Sequence, residues 1–214
     1  MSTPAEAPRG CTLCPRLVAY RADNARAEPT WFNDPAPSFG DPAARLLIVG
    51  LAPGRTGANR TGRPFTGDYA GDLLYGTLLK LGLAHGVYRA DPNDGLRLVG
   101  CMITNAVRCA PPENKPTPDE ITACRPFLSA RIAALPGLRA ILALGAIAHD
   151  SVLRAHDLKP SAAKFTHGGV YELGGERMLV SSYHCSRYNT QTNRLTTDMF
   201  EAVMAHAKAR AGFA

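Results

Sequence analysis

The stretch Gly50 to Gly71, GLAPGRTGANRTGRPFTGDYAG, holds residue types that can do chemistry. Six of the chain's twenty glycines fall within these twenty-two residues. Backbone of that kind can take positive φ and come very close to a bound group. The same stretch carries Arg55, Arg60 and Arg63 against one acid, Asp68, and Phe65 is its only bulky apolar side chain between Leu51 and Asp68. Backbone donors, guanidinium groups, one aromatic face and one carboxylate describe a pocket for a flat polar ring attached to a phosphodiester. A nucleotide phosphate loop is excluded, because neither G-x-G-x-x-G nor G-x-x-x-x-G-K-[ST] is present.

Two further sets can join that pocket or brace it. Asn105 ends an apolar run, and its one acceptor and two donors suit reading a nucleobase edge. Cys11-Thr12-Leu13-Cys14 is a C-x-x-C pair, which can be a redox pair, a zinc half-site or an iron–sulfur half-site. Its second half is Cys109 and Cys124, in the run RCAPPENKPTPDEITAC. Cys101 lies inside a strand-like run, where it reads as a small buried hydrophobe. His149 and His156 share a helix face but have no third ligand type nearby, so they read as ordinary helix histidines.

The elements that must position these groups follow from the pattern. Arg45 to Val49 is a short apolar run that breaks into the glycine-punctuated loop and then into a leucine-periodic segment: strand, loop, helix of an α/β domain. The helix is predicted over 68–81, with Asp68 near its positive end, where a charged carboxylate is favoured. Ligands of such domains sit beyond the carboxyl ends of the strands. Leu96 to Val107 reads as the next strand and Leu138 to Leu144 as a third. Val170 to Leu173 and Arg177 to Ser181 read as a strand pair around Gly174-Gly175, and the second delivers the run Tyr183 to Leu195. Thr117-Pro118-Asp119-Glu120 reads as a helix start with a capping box, which places Cys124 about two turns into that helix. Residues 31–42 read as a loop-rich segment packed on the core, and Thr196 as the cap of a last helix.

At 214 residues and 45% hydrophobic, the chain is expected to form one domain spanning 1–214, with residues 1–10 flexible. The formal net charge of +6 favours an anionic partner. No apolar run approaches the length of a membrane span, so a cytoplasmic protein is expected, in which cysteines serve as ligands or core residues.

The C-x-x-C pair, Cys109 with Cys124, GLAPG…GRPFTGD after the first strand, and His184 with Ser186-Arg187 after the last together resemble the uracil-DNA glycosylase superfamily. The GANRTGRPFTGD loop and HxSRxNTQTxRLT are most similar to its family 5, over roughly Cys11 to Phe200. The resemblance implies a three-layer α/β/α fold with a central, mostly parallel four-stranded sheet. It implies a [4Fe-4S] cluster held by Cys11, Cys14, Cys109 and Cys124. It also implies a base pocket lined by Gly50, Ala52 and Gly54, with Phe65 stacking on the flipped base and Asn105 at its edge. Asp68 matches the family's catalytic carboxylate, acting on the sugar cation or on a water, and His184 its third-motif histidine, which stabilises the departing base. Ser186 to Arg194 matches the segment that enters the minor groove, with Arg187, Tyr188 and Gln191 as its contacts and Arg60 and Arg63 as further DNA-binding residues. Uracil-containing DNA, double- or single-stranded, is the implied partner of a monomeric base excision repair enzyme.

The resemblance is not complete. Ala52 stands where family 4 has Glu in GEAPG, which favours family 5. Cys185 replaces the usual proline of the third motif, and Tyr69 is larger than expected after Asp68, so both bear on the pocket and its breadth toward hypoxanthine. The basic insertion of covalently trapping relatives is missing, which implies turnover. Zinc is the alternative occupant of four thiolates, and a non-catalytic iron–sulfur damage binder or redox sensor of the same fold is the alternative function.

Overall fold

The computed structural model describes residues 4–213. In chain order its elements are α1 (Pro15–Ala27), β1 (Phe39–Gly40), β2 (Leu46–Gly50), α2 (Ala58–Thr61), α3 (Tyr69–Lys80), β3 (Ala84–His85), β4 (Arg97–Leu98) and β5 (Cys101–Asn105). There follow α4 (Pro118–Ala133), β6 (Ala140–Leu144), α5 (Ala146–Ala155), β7 (Val170–Gly174), β8 (Arg177–Ser182), α6 (Arg187–Gln191) and α7 (Thr197–Arg210).

The runs LLIVG, CMITN and AILAL are buried at every residue, as strands inside a covered parallel sheet must be. β5, β2, β6 and β8 lie side by side and parallel. To these four strands each edge adds an antiparallel one, β1 on β5 and β7 on β8, so the sheet has six strands in the order β1-β5-β2-β6-β8-β7. The β7–β8 hairpin turns through Gly175 and Glu176 at φ 58° and 64°, the positive values that match strand twist in a two-residue turn. Leu96 to Val107 is not one strand. β4 pairs with β3 in a separate two-stranded sheet, and Gly100 at φ 62° redirects the chain into β5.

Alternation along β2 sends Leu46 and Ile48 into one core and Leu47 and Val49 into the other. The first core is closed by Leu74 and Leu78 of α3 and Phe200 and Met204 of α7, the second by Leu128 and Ile132 of α4 and Val152 and Leu153 of α5. The outcome is the three-layer α/β/α arrangement. His149 is a satisfied core histidine, its ring nitrogens 2.7 Å from Ser181 Oγ and 2.7 Å from Ala163 O. The Cys101 thiol is buried and donates to Leu83 O at 3.3 Å.

α4 starts as its sequence dictates. Glu120 N donates to Thr117 Oγ1 at 3.3 Å and Thr117 N donates back to the Glu120 carboxylate at 2.8 Å. Residues 1–3 lie outside the described residues, and Ala5 and Glu6 of the segment expected to be flexible touch the core. Arg108, almost fully buried, donates to Glu6 at 2.7 Å and to Ala5 O at 3.2 Å, and Glu6 also pairs with Arg131. The carboxyl ends of the four parallel strands point one way, and there Gly50, Asn105, Gly145 and, just past β8, His184 assemble.

Candidate functional site

Gly50 and Asn105 are directly paired across β2 and β5. A Cβ on Gly50 would collide with Asn105 Oδ1 and stand 2.6 Å from Phe65 Cζ, so a bare backbone here is what lets both side chains meet the strand end. Phe65 itself sits at φ 54°, a conformation that is strained for a bulky residue. It is held there by its surroundings: Tyr75 Oη donates to Pro64 O at 2.6 Å and Tyr88 Oη to Phe65 O at 3.1 Å. The Phe65 ring faces His184 in a stacked arrangement, centroids 5.9 Å apart. These groups open into a cleft of about 450 Å³, which Ala52, Gly54, Phe65, Asp68, Asn105 and His184 all line. Gly50 lies beneath this floor and does not line it. Asn105 is 3% exposed, and its Oδ1 is buried without a hydrogen-bond partner.

Asp68 is the N-cap of α3 and accepts from Gly71 N at 3.1 Å. Its other oxygen lies against Gly57, where any Cβ would collide with it, and within 3.4 Å of where a Cβ on Gly54 would stand. The expectation that the helix end favours the charged form is overridden. Burial pushes the carboxyl above its ordinary value despite the stabilising backbone N–H donors of Gly71 and Ala70. Burial pushes His184 the other way, down to about 4, so at neutral pH the imidazole is uncharged.

The remaining expected residues divide. Ser186 caps α6, and Ser186 and Arg187 line the cleft mouth. Tyr188 is 70% exposed at the tip, and Gln191 is exposed behind it. Arg60 is exposed beside the loop, its Nε donating to Thr56 O at 2.8 Å. Arg63 is corrected: it is 4% exposed and makes a bidentate pair with Asp94, 2.8 Å at each oxygen. Its guanidinium, under the rings of Phe39, Tyr75 and Tyr88, holds the Asp94 carboxyl well below the usual range. Arg63 supports the strained loop and has no path to DNA. Cys185 is also corrected as a pocket element, since it is wholly buried with its thiol 3.5 Å from Ala70 O and lies outside the cleft.

Of two further cleft residues, Arg55 was read as one of the loop's guanidinium groups and Asn114 was not singled out. Arg55 lines the cleft, oriented by Asn24 Oδ1 at 2.7 Å and by the Trp31 ring, 5.0 Å below its guanidinium. The loop-rich segment 31–42 thus serves the site through Trp31. Asn114 reaches the cleft from the loop between Cys109 and α4, with Glu113 and Asn114 both at positive φ, 55° and 57°. The proline-rich composition of that loop signalled extension and hid the turn.

Cys11, Cys14, Cys109 and Cys124 line one small, almost wholly apolar cavity of about 20 Å³, together with Leu17, Val107 and Phe127. α1 brings Cys14 as its N-cap and α4 brings Cys124. Hydrogen-bond donors face the sulfurs: Arg21 Nη1 is 3.4 Å from Cys109 Sγ and Arg108 N 3.3 Å from Cys124 Sγ. Among the described residues, no three His, Cys, Asp or Glu side chains converge closely enough to hold a single metal ion. The four cysteines ring a volume.

Residues 37–208 match the family model described as "Uracil DNA glycosylase superfamily". The chain is 50% identical over 208 residues to a type-5 uracil-DNA glycosylase of Thermus thermophilus, covering 94% of each chain. It is 43% identical to one from Mycobacterium tuberculosis, covering 94% of this chain and 78% of that one. A type-4 uracil-DNA glycosylase of Archaeoglobus fulgidus is 32% identical, over 69% of this chain and 68% of its own.

Proposed function

The chain belongs to the uracil-DNA glycosylase superfamily, and from that premise we propose that it is a monofunctional uracil-DNA glycosylase of base excision repair. It hydrolyses the N-glycosidic bond of a uracil flipped out of double- or single-stranded DNA. The observation that carries this reading is Asn105 Oδ1, a buried acceptor at the cleft floor with no protein donor. Such an atom is costly until a ligand N–H arrives, and the imide N–H of uracil, flanked by carbonyls that the Asn105 amide can donate to, supplies it. Hypoxanthine presents the same carbonyl and N–H pair, so weaker release of that base belongs to the proposal. With Ala52 in the first motif, the cleft has few buried polar groups left unpaired by the wrong base, which is what strict discrimination needs.

The chemistry divides between the two titratable groups. Bond cleavage leaves positive charge on the sugar and negative charge on the base. Asp68, fixed by the α3 cap, stabilises the sugar or positions a water there, and His184 donates a hydrogen bond from an uncharged ring to the base oxygen. An uncharged donor does not require a buried cation in the resting protein. Phe65, locked by Tyr75 and Tyr88, offers a ring face to the base. Ser186 and Arg187 meet DNA at the cleft mouth and Arg60, Tyr188 and Gln191 outside it, with Tyr188 as the bulky group that unstacks a step.

Cys11, Cys14, Cys109 and Cys124 fit a [4Fe-4S] cluster, which when bound supplies a structural cross-link. Four thiols lining one apolar cavity, with N–H donors of Arg21 and Arg108 facing the Cys109 and Cys124 sulfurs, suit such a unit. A single domain, working as a monomer in the cytoplasm, needs no further part for this activity. The test is incubation of the purified protein with a uracil-containing duplex followed by alkali. Strand scission at the uracil is expected, and intact strands under enzyme excess would overturn the proposal.

A further inference from the structure

Tyr69 follows Asp68 directly as the first residue of α3, and it is 40% exposed. Two depressions meet at its side chain. One is the base cleft, whose mouth Arg187 also lines, and the other is a neighbouring groove walled by Asp72, Thr190, Asn193 and Thr196. The Arg187 guanidinium stands 5.2 Å over the Tyr69 ring. Thr190 Oγ1 and the Tyr69 hydroxyl are hydrogen-bonded at 3.2 Å. Both partners belong to α6, a five-residue helix with no buried residue of its own. A helix so short has no independent stability, so its position depends on what holds it from outside.

We propose that Tyr69 is a positioning residue that docks α6 onto the N-terminus of α3, so that the DNA wedge and Asp68 move as one body. The inference rests on the reading that α6 engages DNA and that Asp68 acts at the sugar. Opening a base pair pushes back on the wedge. An unbraced α6 yields under that load, whereas a braced one transmits it to the helix whose N-cap is Asp68. The flipped nucleotide is then delivered to a carboxylate already in register, and small displacements there are costly in rate. Single-stranded DNA puts no such load on α6.

The test is a double-mutant cycle of Tyr69→Ala and Arg187→Ala, read as single-turnover uracil release from duplex and from single-stranded DNA. Hydrogen exchange of residues 187–192 in the free protein is read beside it. Tyr69→Ala should slow duplex release about fivefold, the scale of one exposed cation–π contact and its hydrogen bond, and slow single-strand release less than about twofold. Tyr69→Phe keeps the ring under Arg187 and should recover most of the duplex rate. Arg187→Ala should lower the duplex-to-single-strand ratio less in Tyr69→Ala than in the wild type, because its DNA contact is lost in both backgrounds while its contact with Tyr69 can be lost only once. Amides of α6 should exchange faster in Tyr69→Ala with no DNA present. Equal losses on both substrates, additive effects of the two substitutions, or unchanged exchange would each overturn the brace. A wild-type protein that releases no uracil would refute the enzymatic reading, and the exchange measurement would still decide the docking.

Discussion

The base cleft and the cysteine cavity are built from the same few residues of chain and in opposite ways. At the end of β5, Asn105 serves the cleft, while Val107, Arg108 and Cys109 just beyond it serve the cavity, and Ala52 both lines the cleft and packs on the cysteine cluster. In the cleft, groups are held short of their optimum: among the described residues Asn105 Oδ1 has no partner, Asp68 is desolvated, and the Phe65 backbone is at positive φ. Around the cavity the polar groups are largely paired. Arg16 makes two bonds of 2.8 and 2.7 Å to Glu120, Arg21 holds Cys11 O at 2.9 Å, and Arg108 holds Glu6, although Arg108 Nε is left over. Groups kept away from their own optimum need a frame that is at its optimum, and the cavity is the part of the frame nearest the cleft.

The largest effect should come from breaking the frame. Cys124→Ser removes a sulfur from the ring that joins α1 to α4, and it should lower unfolding free energy by about 3 kcal/mol or more, as loss of a structural metal group does. The purified wild type should be brown, with iron as the bound metal. Stoichiometric zinc without iron in anaerobically prepared protein would refute the cluster, and an unchanged urea midpoint in Cys124→Ser would refute the structural role.

Asp68→Asn reverses that pattern. Activity should fall about a hundredfold or more, the range for loss of a positioned catalytic group. The urea midpoint at pH 7 should not fall, because asparagine caps a helix as well as aspartate does and the buried charge is gone. Activity within about threefold of wild type, against the hundredfold loss expected for such a group, would remove Asp68 from the mechanism.

The contrast also explains what could be read from residue types alone. The parallel strands, the α4 capping box and the grouping of the four cysteines are local consequences of apolar runs, caps and thiol chemistry. Asn105 and Gly50 were legible because a polar residue and a glycine at strand ends have few uses. Arg63 was misread because its partner Asp94 lies 31 residues away, and an arginine in a glycine-rich loop looks the same whether it faces DNA or a buried carboxylate. Asn114 was missed because its turn depends on two positive-φ residues that prolines on either side do not announce. The edge strand β1 is two residues long and depends on the sheet it joins, whereas β7 was legible as the partner of β8.

A smaller perturbation tests whether the strained floor needs its bare backbone. Gly50→Ala places a methyl against Asn105 Oδ1 and the Phe65 ring, and neither can retreat without disturbing the other. Uracil release should fall about tenfold, near 1.4 kcal/mol in the barrier, with the loss in kcat as well as KM because Phe65 and Asn105 are displaced together. Full activity in Gly50→Ala would mean that the floor relaxes freely and that the Phe65 conformation is not required.

The smallest expected effect is on stability against pH, and within the cleft it has opposite signs at His184 and Asp68. His184 titrates near about 4 in the folded protein against 6.5 ordinarily, because burial disfavours its charged form. Above pH 6.5 both folded and unfolded chains hold it neutral. As pH falls from 6.5 toward 4 the unfolded chain takes up a proton that the folded one refuses, so stability drops across that window. Asp68 has the opposite slope: its raised carboxyl takes up a proton in the folded state before the unfolded one does, which relieves folding as pH falls. His184→Gln removes the first contribution and leaves the second. Between pH 7.5 and pH 6 the wild type should therefore lose up to about 1 kcal/mol relative to His184→Gln, given about 1.36 kcal/mol for each unit of displaced pKa. Parallel urea midpoints for the two proteins across that range would show that the His184 ring is solvated well enough to charge in place, and its role as an uncharged donor to the base would fall with that result.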